Sequence, residues 1–549
     1  MHQFFNAPES VVQEMLAAVT ALGPVSLSAP GSGVRIVAQD AARSPKNRGR
    51  VAILSGGGAG HEPAHAGFVG EGMLSAAVSG DVFASPTTDA VLAAIRHVCG
   101  PPGCLLIVKN YTGDRLNFGL ARERAIEEGL DVGLVVVADD LALGKTARAR
   151  GVAGTVLVHK LGGHLAAEGR PLAEIEAACQ KLADDLSTVG MALSSSLVPG
   201  RLTERRSAEL GLGIHNEPGA RRVEPTSAYD AMKLVLDPLL AHFDAAHGSE
   251  TQAVVLLNDL GGCSPQEMLV LTHALLGQIG ISRVALMVRP AALMTSIDMR
   301  GFSVTLAPSS DALLTALSSP TAAAAWPGVV VPRDPRRRTF EVDLEASLLA
   351  KGLTIADTHV STVVRAMANG LIAAATDLDA LDARAGDGDT GKTFATAARV
   401  VIEALDAGAL STGDPRALAR DLGALTSRTM GGTSGALLAI FFSATASSLA
   451  KRAPLSESLA HGVAKMSAYG GARPGDRTML DALVPALAAL PNGLSAAAAA
   501  ARAGADATAT MVPRTGRAAY VPEVEAAGVI DAGAEAVARA LEAGAAVGR

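Results

Sequence analysis

The sequence predicts a multidomain protein, a two-lobed α/β part followed by an all-α part, and three observations carry that reading. Up to about residue 330, short runs rich in Val, Leu and Ile end in Gly-rich or polar loops, with helix-length stretches between them. After about residue 345 the strand-like runs stop and apolar residues recur at helical spacing. The chain also has 549 residues, more than one ordinary hydrophobic core supports.

In chain order, Arg50–Leu54 runs into SGGGAGH, Gly103–Val108 into KNYTGD, Val132–Val137 into ADD and Thr155–Val158 into HK. Ala253–Leu257 then runs into NDLGG, and Arg283–Val288 meets an Arg-Pro pair. Apolar runs of this length read as buried parallel strands, and the helical stretches between them imply an α/β architecture. The Gly- and charge-rich break over Pro199–Asn216 is expected to divide two lobes. Beyond it, Val360, Val363, Val364, Met367, Leu371 and Ile372 share one helix face. Ala- and Leu-rich patterns continue to the C-terminus. The joint, VVVPRDPRRRTFEVD, has the prolines and charge cluster of a linker. The domains are therefore drawn as 1–332 (α/β), a Pro/Arg linker over 333–349, and 350–549 (all-α).

Composition narrows the function. Aromatics are only 3% while Ala and Gly abound, which favours close helix packing over an aromatic-cored β fold. A net charge of −7, from 54 acidic and 47 basic residues, lacks the basic excess of a nucleic-acid binder. The four cysteines form no C-x-x-C pair and read as reduced thiols of a cytoplasmic protein. The start, MHQFFNAPESVVQEML, lacks the basic region of a signal peptide. No uninterrupted apolar run reaches the roughly 18 residues of a membrane span, so no membrane partner is expected.

The sharpest segment of the second half is LDARAGDGDTGKT, Leu381 to Thr393. Gly386 to Thr393 fits the spacing of a P-loop, but that loop needs a hydrophobic strand before it, and here an amphipathic helix precedes. Its aspartates would also repel a polyphosphate unless metal ions stood between. Asp382, Asp387 and Asp389 are instead spaced to gather around Mg²⁺, a hard cation that takes oxygen ligands. Asx-turns and helix caps are the competing structural role for Asp-Gly pairs. Two more Gly-rich segments follow, MGGTSG and YGGARPGDRTMLDAL; the first sets Thr433 and Ser434 at a helix N-terminus, a natural phosphate site.

In the first half, SGGGAGHEPAHAGFVG carries His61 and His65 four residues apart. Zinc is disfavoured there, because H-E-x-x-H is absent and Pro63 intervenes. A Gly-rich turn at a strand's carboxyl end suits a small polyhydroxylated ligand, with His61 offering a hydrogen bond. Asp114 in KNYTGD belongs to the same rim, as does His215 in GLGIHNEPG.

Together these strings, with SGDVFASP and AGTVLVHK, resemble the single-chain dihydroxyacetone kinases across nearly the whole chain. The resemblance implies a ketone-binding domain fused to an all-helical nucleotide domain that uses ATP with Mg²⁺. It implies that His215 holds the ketone as a covalent hemiaminal, and that Asp114 acts as general base with His61 assisting. Substrate contacts would fall on Gly57, Gly58, Gly60, His61, Lys109, Asp114 and His215. Nucleotide contacts would fall on Gly388, Asp389, Thr390, Gly391, Thr433, Ser434, Gly471, Arg477, Asp531 and Gly533, and the metal on Asp382, Asp387 and Asp389. It also implies a homodimer in which the helical domain caps the partner's ketone site. Four departures stand out: Asn216 where the family usually has Gly, DAGA (Asp531–Ala534) for D-P-G-A, a less polar lid between Tyr520 and Asp531, and Lys392 at a position usually small or polar. Competing expectations are a kinase for erythrulose or glyceraldehyde, a phosphocarrier-dependent transferase, a lyase that cyclises FAD to cyclic FMN, and a ketone-sensing regulator.

Overall fold

Alternation along the strands organises the first half. Leu105 and Ile107 belong to one apolar cluster, Leu106 and Val108 to another, as period-two side chains on opposite sheet faces must. The computed structural model describes residues 3–29, 34–142, 144, 149–200, 207–334, 339–340, 356–384, 388–515 and 528–548. It divides into two compact units, Met1–Thr339 and Phe340–Arg549. Most of the linker drawn over 333–349 lies outside the described residues.

The first unit holds two sheets. One contains β1 (Val25–Leu27), β2 (Ile36–Gln39), β3 (Ala52–Ala59), β4 (Ala76–Val82), β5 (Cys104–Lys109) and β6 (Val132–Val137), in the order β1-β2-β4-β3-β5-β6. Its β4-β3-β5-β6 portion is parallel, and β3 and β5 are buried along their whole length. The other contains β7 (Ser187–Ala192), β8 (Glu209–Leu210), β9 (Arg221–Arg222), β10 (Ala253–Asp259), β11 (Val284–Ala292), β12 (Gly301–Pro308) and β13 (Val329–Val330), ordered β13-β11-β10-β12-β7-β8-β9. Only its β10–β11 pair is parallel, so the sheets are mixed rather than uniformly parallel. A single cluster with Ile53, Leu105, Leu157, Ile175, Val254 and Leu256 joins both sheets through the helices Thr155–Ala167 and Leu172–Asp185.

Three sequence expectations are corrected. Thr155–Val158 opens a helix, not a strand; four apolar residues fit either element, and Gly163 lets the helix pass Met73, whose Cα would lie 2.3 Å from an added β-carbon. The lobes divide between β6 and β7, so the Pro199–Asn216 break falls inside the second sheet's span. The strand β3 also runs on through the glycines instead of ending at Leu54, because β4 passes so near that a β-carbon on Gly56 would sit 2.3 Å from the Val78 carbonyl oxygen.

The second unit shows nine α-helices and no strand among the described residues. Small residues set its packing: Gly370 of the helix Thr358–Ala373 would bring a β-carbon within 2.7 Å of Ala543 Cβ on the helix Ala532–Val547. One cluster consists of Ala482, Ala486, Ala501, Ala505, Ala534 and Ala538. The helix Gly432–Ala450 is long and apolar enough to cross a membrane by length and composition, although serines and threonines interrupt its apolar run. It packs against Pro415–Thr429 and Leu455–Gly470, and its first turn opens onto a cleft.

Candidate active site

The carboxyl ends of β3 and β5 and the loop between β8 and β9 bring the first set of polar residues together. Just past β3, the fully buried His61 places Nδ1 2.8 Å from the Thr295 carbonyl oxygen and Nε2 3.0 Å from His215 Nε2. His215 sits in a tight turn in which Glu217 accepts from its backbone N–H at 2.9 Å and from Nδ1 at 3.2 Å. Phe83 stacks on His61, ring centroids 5.2 Å apart, and Tyr111 meets His215 edge-on at 4.4 Å.

Lys109, the last residue of β5, is fully buried, and its Nζ lies 5.6 Å from the centre of the Tyr111 ring. Asp114 is buried in the first turn of the helix Thr112–Glu127, where the helix dipole favours a carboxylate. Lys109 Nζ, Tyr111 Oη and Asp114 Oδ1 are all buried without a hydrogen-bond partner. Burial costs of that kind are tolerated where a ligand supplies the partner. The glycines frame this space by close approach: a β-carbon on Gly58 would lie 2.7 Å from Ala84 N, and one on Gly60 2.6 Å from the Phe83 ring.

The two histidines impose a proton count. The Thr295 carbonyl can only accept, so His61 carries a proton on Nδ1, and the Glu217 carboxylate likewise calls for one on His215 Nδ1. Two bare Nε2 atoms cannot bond at 3.0 Å, so a hydrogen bond there needs one further proton, which makes the pair a cation. Burial first, then Lys109 and His215, pushes the His61 pKa well below the ordinary imidazole value. Burial would raise the Glu217 carboxyl, but hydrogen bonds from His215 and its charge bring it down to about 2. The arrangement can aim a lone pair of His215 at an electrophilic carbon and deliver a proton beside it.

Asn216 occupies the left-handed region at φ 65°, which Asn tolerates better than other side chains. Its amide accepts from Ser196 N at 2.9 Å and donates to Ser196 O at 3.2 Å. The side chain thus ties the His215 turn to the Ser196 backbone.

In the second unit, a cleft of about 1290 Å³, open to solvent, is lined by Asp382, Asp389, Thr390, Thr433, Ser434, Arg477, Asp531 and Gly533, all singled out from the sequence. Asp382 Oδ2 accepts from the backbone of Asp389 at 3.0 Å and of Thr390 at 3.2 Å. That ties the end of the helix Ala375–Asp382 to the start of the helix Thr390–Asp406, and oxygen donors of this kind fit a magnesium ion. Asp387 lies outside the described residues, as does the lid from 516 to 527. Asp531 caps the helix Ala532–Val547 by accepting from Ala534 N at 2.8 Å, and burial pushes its carboxyl up to about 6.

Gly388, Gly391 and Gly471 do not line the cleft. They are conformational: Gly388 and Gly471 have φ near 76° and 75°, and a β-carbon on Gly391 would sit 1.8 Å from the Ala375 carbonyl oxygen. Lys392 is exposed and also outside the lining, and the element before the segment is the helix Ala375–Asp382 rather than the strand a P-loop requires. The sequence reading missed Thr295, Phe83 and Tyr111, and in the cleft Leu437, Met466 and Met479. Phe83, Tyr111 and Met479 stood inside quoted motifs; the others had no motif to mark them.

Family models match both units, a Dak1 domain over residues 26–325 and a DAK2 domain over residues 384–546. The chain belongs to the dihydroxyacetone kinase family. It is 41% identical to the dihydroxyacetone kinase of Citrobacter freundii, covering 98% of both chains. Against the triokinase/FMN cyclase of Homo sapiens it is 41% identical, over 86% of this chain and 87% of that one. The crystal structure of the C. freundii kinase with AMP-PNP and Mg²⁺ matches with a TM-score of 0.77 at 40% identity, over 99% of each chain. Both domains of this family therefore stand in one polypeptide here.

Proposed function

We propose that the chain is an ATP- and Mg²⁺-dependent kinase that phosphorylates a small hydroxyketone, dihydroxyacetone first among them, to its terminal phosphate. The observation that carries this reading is the His61–His215 pair at 3.0 Å, backed by Glu217 and Thr295. His215 Nε2 attacks the ketone carbon; the carbonyl π electrons move to oxygen, which takes the proton held between the rings. The product is a hemiaminal whose new hydroxyl stays hydrogen-bonded to the now bare His61 Nε2, while the substrate's terminal hydroxyl donates to Asp114. Asp114 takes that hydroxyl's proton as its oxygen attacks the γ-phosphorus and ADP leaves. Glycerol has no carbonyl to capture and is refused. Asp382 and Asp389, with Asp387, would hold Mg²⁺, which when bound neutralises phosphate charge. A homodimer belongs to the same proposal on the resemblance, and a cytoplasmic setting on four free cysteines, three of them buried.

A second reading, release of cyclic FMN from FAD, is favoured by the likeness to the triokinase/FMN cyclase. The test is coupled ADP release with Mg·ATP against dihydroxyacetone, erythrulose enantiomers, glyceraldehyde and glycerol, with FAD cyclisation assayed in parallel. Ketose turnover without glycerol turnover is expected. Equal use of glycerol would sink the hemiaminal route, and cyclic FMN as sole product would replace the kinase reading.

A further inference from the structure

Behind the His215 turn lies a buried cation that the proposed steps leave unused. Arg150, between β6 and the helix Thr155–Ala167, is 7% exposed. Its Nε donates to Asp140 Oδ2 at 2.7 Å, and its Nη2 lies 2.6 Å from the same oxygen. Nη2 also donates to the Gly211 carbonyl oxygen at 2.7 Å. Those bonds fix the plane of the guanidinium and leave Nη1 as its third corner, buried and without a hydrogen-bond partner.

That third corner faces the carboxylate that orients His215. A β-carbon on Gly213 would lie 2.0 Å from Glu217 Oε2 and 2.5 Å from Arg150 Nη1. The two atoms are thus neighbours across Gly213, no farther apart than the sum of those distances, and only a glycine leaves them room. Gly213 belongs to the turn itself: its N–H donates to Glu217 O at 2.9 Å, and its carbonyl accepts from Asn216 N at 3.0 Å. Arg150 therefore grips the turn twice, by a hydrogen bond at Gly211 and by charge at Glu217, where desolvation strengthens the attraction. Tyr111 feels both partners: burial, then Glu217, raises its phenol well above 10, and Arg150 opposes. Lys109 is the other cation whose charge reaches Glu217. Without Arg150 the Glu217 carboxylate is loosened from Nδ1, and the His215 proton can settle on Nε2, the nitrogen that must attack.

We infer that Arg150 is a positioning residue for ketone capture: it holds Glu217 against His215 Nδ1, so that a proton stays there and the Nε2 lone pair is kept for the substrate carbon. It acts through Glu217, not on the reacting atoms. The inference rests on the hydroxyketone-kinase reading for its purpose, but the tautomer it requires is readable without any substrate.

The experiment uses the full chain, with ¹⁵N-histidine spectra and with turnover of dihydroxyacetone and Mg·ATP. Arg150→Gln, which keeps a donor for Gly211 and removes the charge, should move the His215 proton from Nδ1 towards Nε2 in spectra taken without ketone. It should lower kcat/KM for dihydroxyacetone by roughly 10–100-fold, the cost of a misplaced reacting group, and leave the KM for Mg·ATP within about twofold. Arg150→Lys, which keeps the charge, should recover most of both losses. In a Glu217→Gln background, Arg150→Gln should cost less than about threefold more, because the group it acts through is gone. If Arg150→Gln does not fold with Asp140 left unpaired, Arg150→Gln with Asp140→Asn removes both buried charges and should show the same change of tautomer. A tautomer that stays on Nδ1 in a folded variant, or equal losses with and without Glu217, overturns the inference. If the tautomer follows Arg150 yet the unsubstituted chain turns over no ketone, the kinase reading has failed and the positioning role stands.

Discussion

The two sites treat their polar groups in opposite ways. Around His215, buried polar atoms wait without partners: Lys109 Nζ, His65 Nε2, Tyr111 Oη and Asp114 Oδ1. In the helical cleft two of the lining carboxylates are already occupied by backbone. Asp382 binds the N–H groups of Asp389 and Thr390, and Asp531 that of Ala534. Desolvated, unpaired groups hold a cavity ready for a ligand that completes them, and the fold carries that penalty. Groups that cap helices instead serve stability and ligand at once. Mutations in the first site should therefore strike function more than stability, while those in the second strike both unless the cap is preserved.

The largest expected effect follows from His215→Ala. It should abolish the carbonyl-carbon chemical-shift change that labelled dihydroxyacetone produces, and lower turnover by roughly 10³-fold or more, in the range of positioned catalytic groups. Thermal stability should fall by only about 1 kcal/mol, because His61 Nε2 and Glu217 lose the bonds His215 makes to them. A persistent shift in the variant would move the covalent bond to another residue. Asp382→Asn comes next. It keeps an oxygen for Asp389 and Thr390 but removes the charge, so Mg·ATP turnover should fall roughly 10²–10³-fold. Ketone capture and the denaturant midpoint should hold. Asp382→Ala, by contrast, should also lose about 1 kcal/mol of helix-cap stability. Loss of ketone capture in Asp382→Asn would break the division of labour between the two sites.

The same contrast explains what the sequence made legible. The first site sits at strand ends, where contiguous strings such as SGGGAGH and KNYTGD carry both backbone and chemistry, so His61, Lys109 and Asp114 could be read directly. His61's anchor could not, because it is the backbone carbonyl of Thr295, 234 residues away, and a carbonyl leaves no side-chain signature. The helical cleft takes its walls from several helices, and Leu437, Met466 and Met479 obey the same apolar spacing as any core residue. Gly391 and Gly471 read as nucleotide contacts because Gly-rich loops often are; the structure adds a close helix approach at Gly391 and a left-handed helix end at Gly471. Asn216 shows the converse. The sequence marked it only as a departure from a family glycine, and the structure shows its positive φ and its two bonds to Ser196.

Asp531 gives the smallest effect and the finest test of the contrast, because its carboxyl both caps a helix and lines the cleft. Burial raises it from 3.8 to about 6 in the folded chain, with the Ala534 cap and the Arg477 charge opposing. The folded state thus binds a proton more tightly than the unfolded state between these values. Stability contributed by the protonated form is complete at low pH, declines as pH rises through that window, and is gone above about 6. Asp531→Asn keeps an acceptor for Ala534 N–H and removes the titration. Relative to the unsubstituted chain it should gain on the order of 1–2 kcal/mol between pH 4 and pH 7, after allowance for solvent at the cleft mouth. Amide hydrogen exchange along the helix Ala532–Val547, corrected for intrinsic rates, reads that gain in the full chain. Parallel pH profiles for the two proteins would show that the Asp531 charge carries no stability penalty, and that its role in the cleft is confined to the cap.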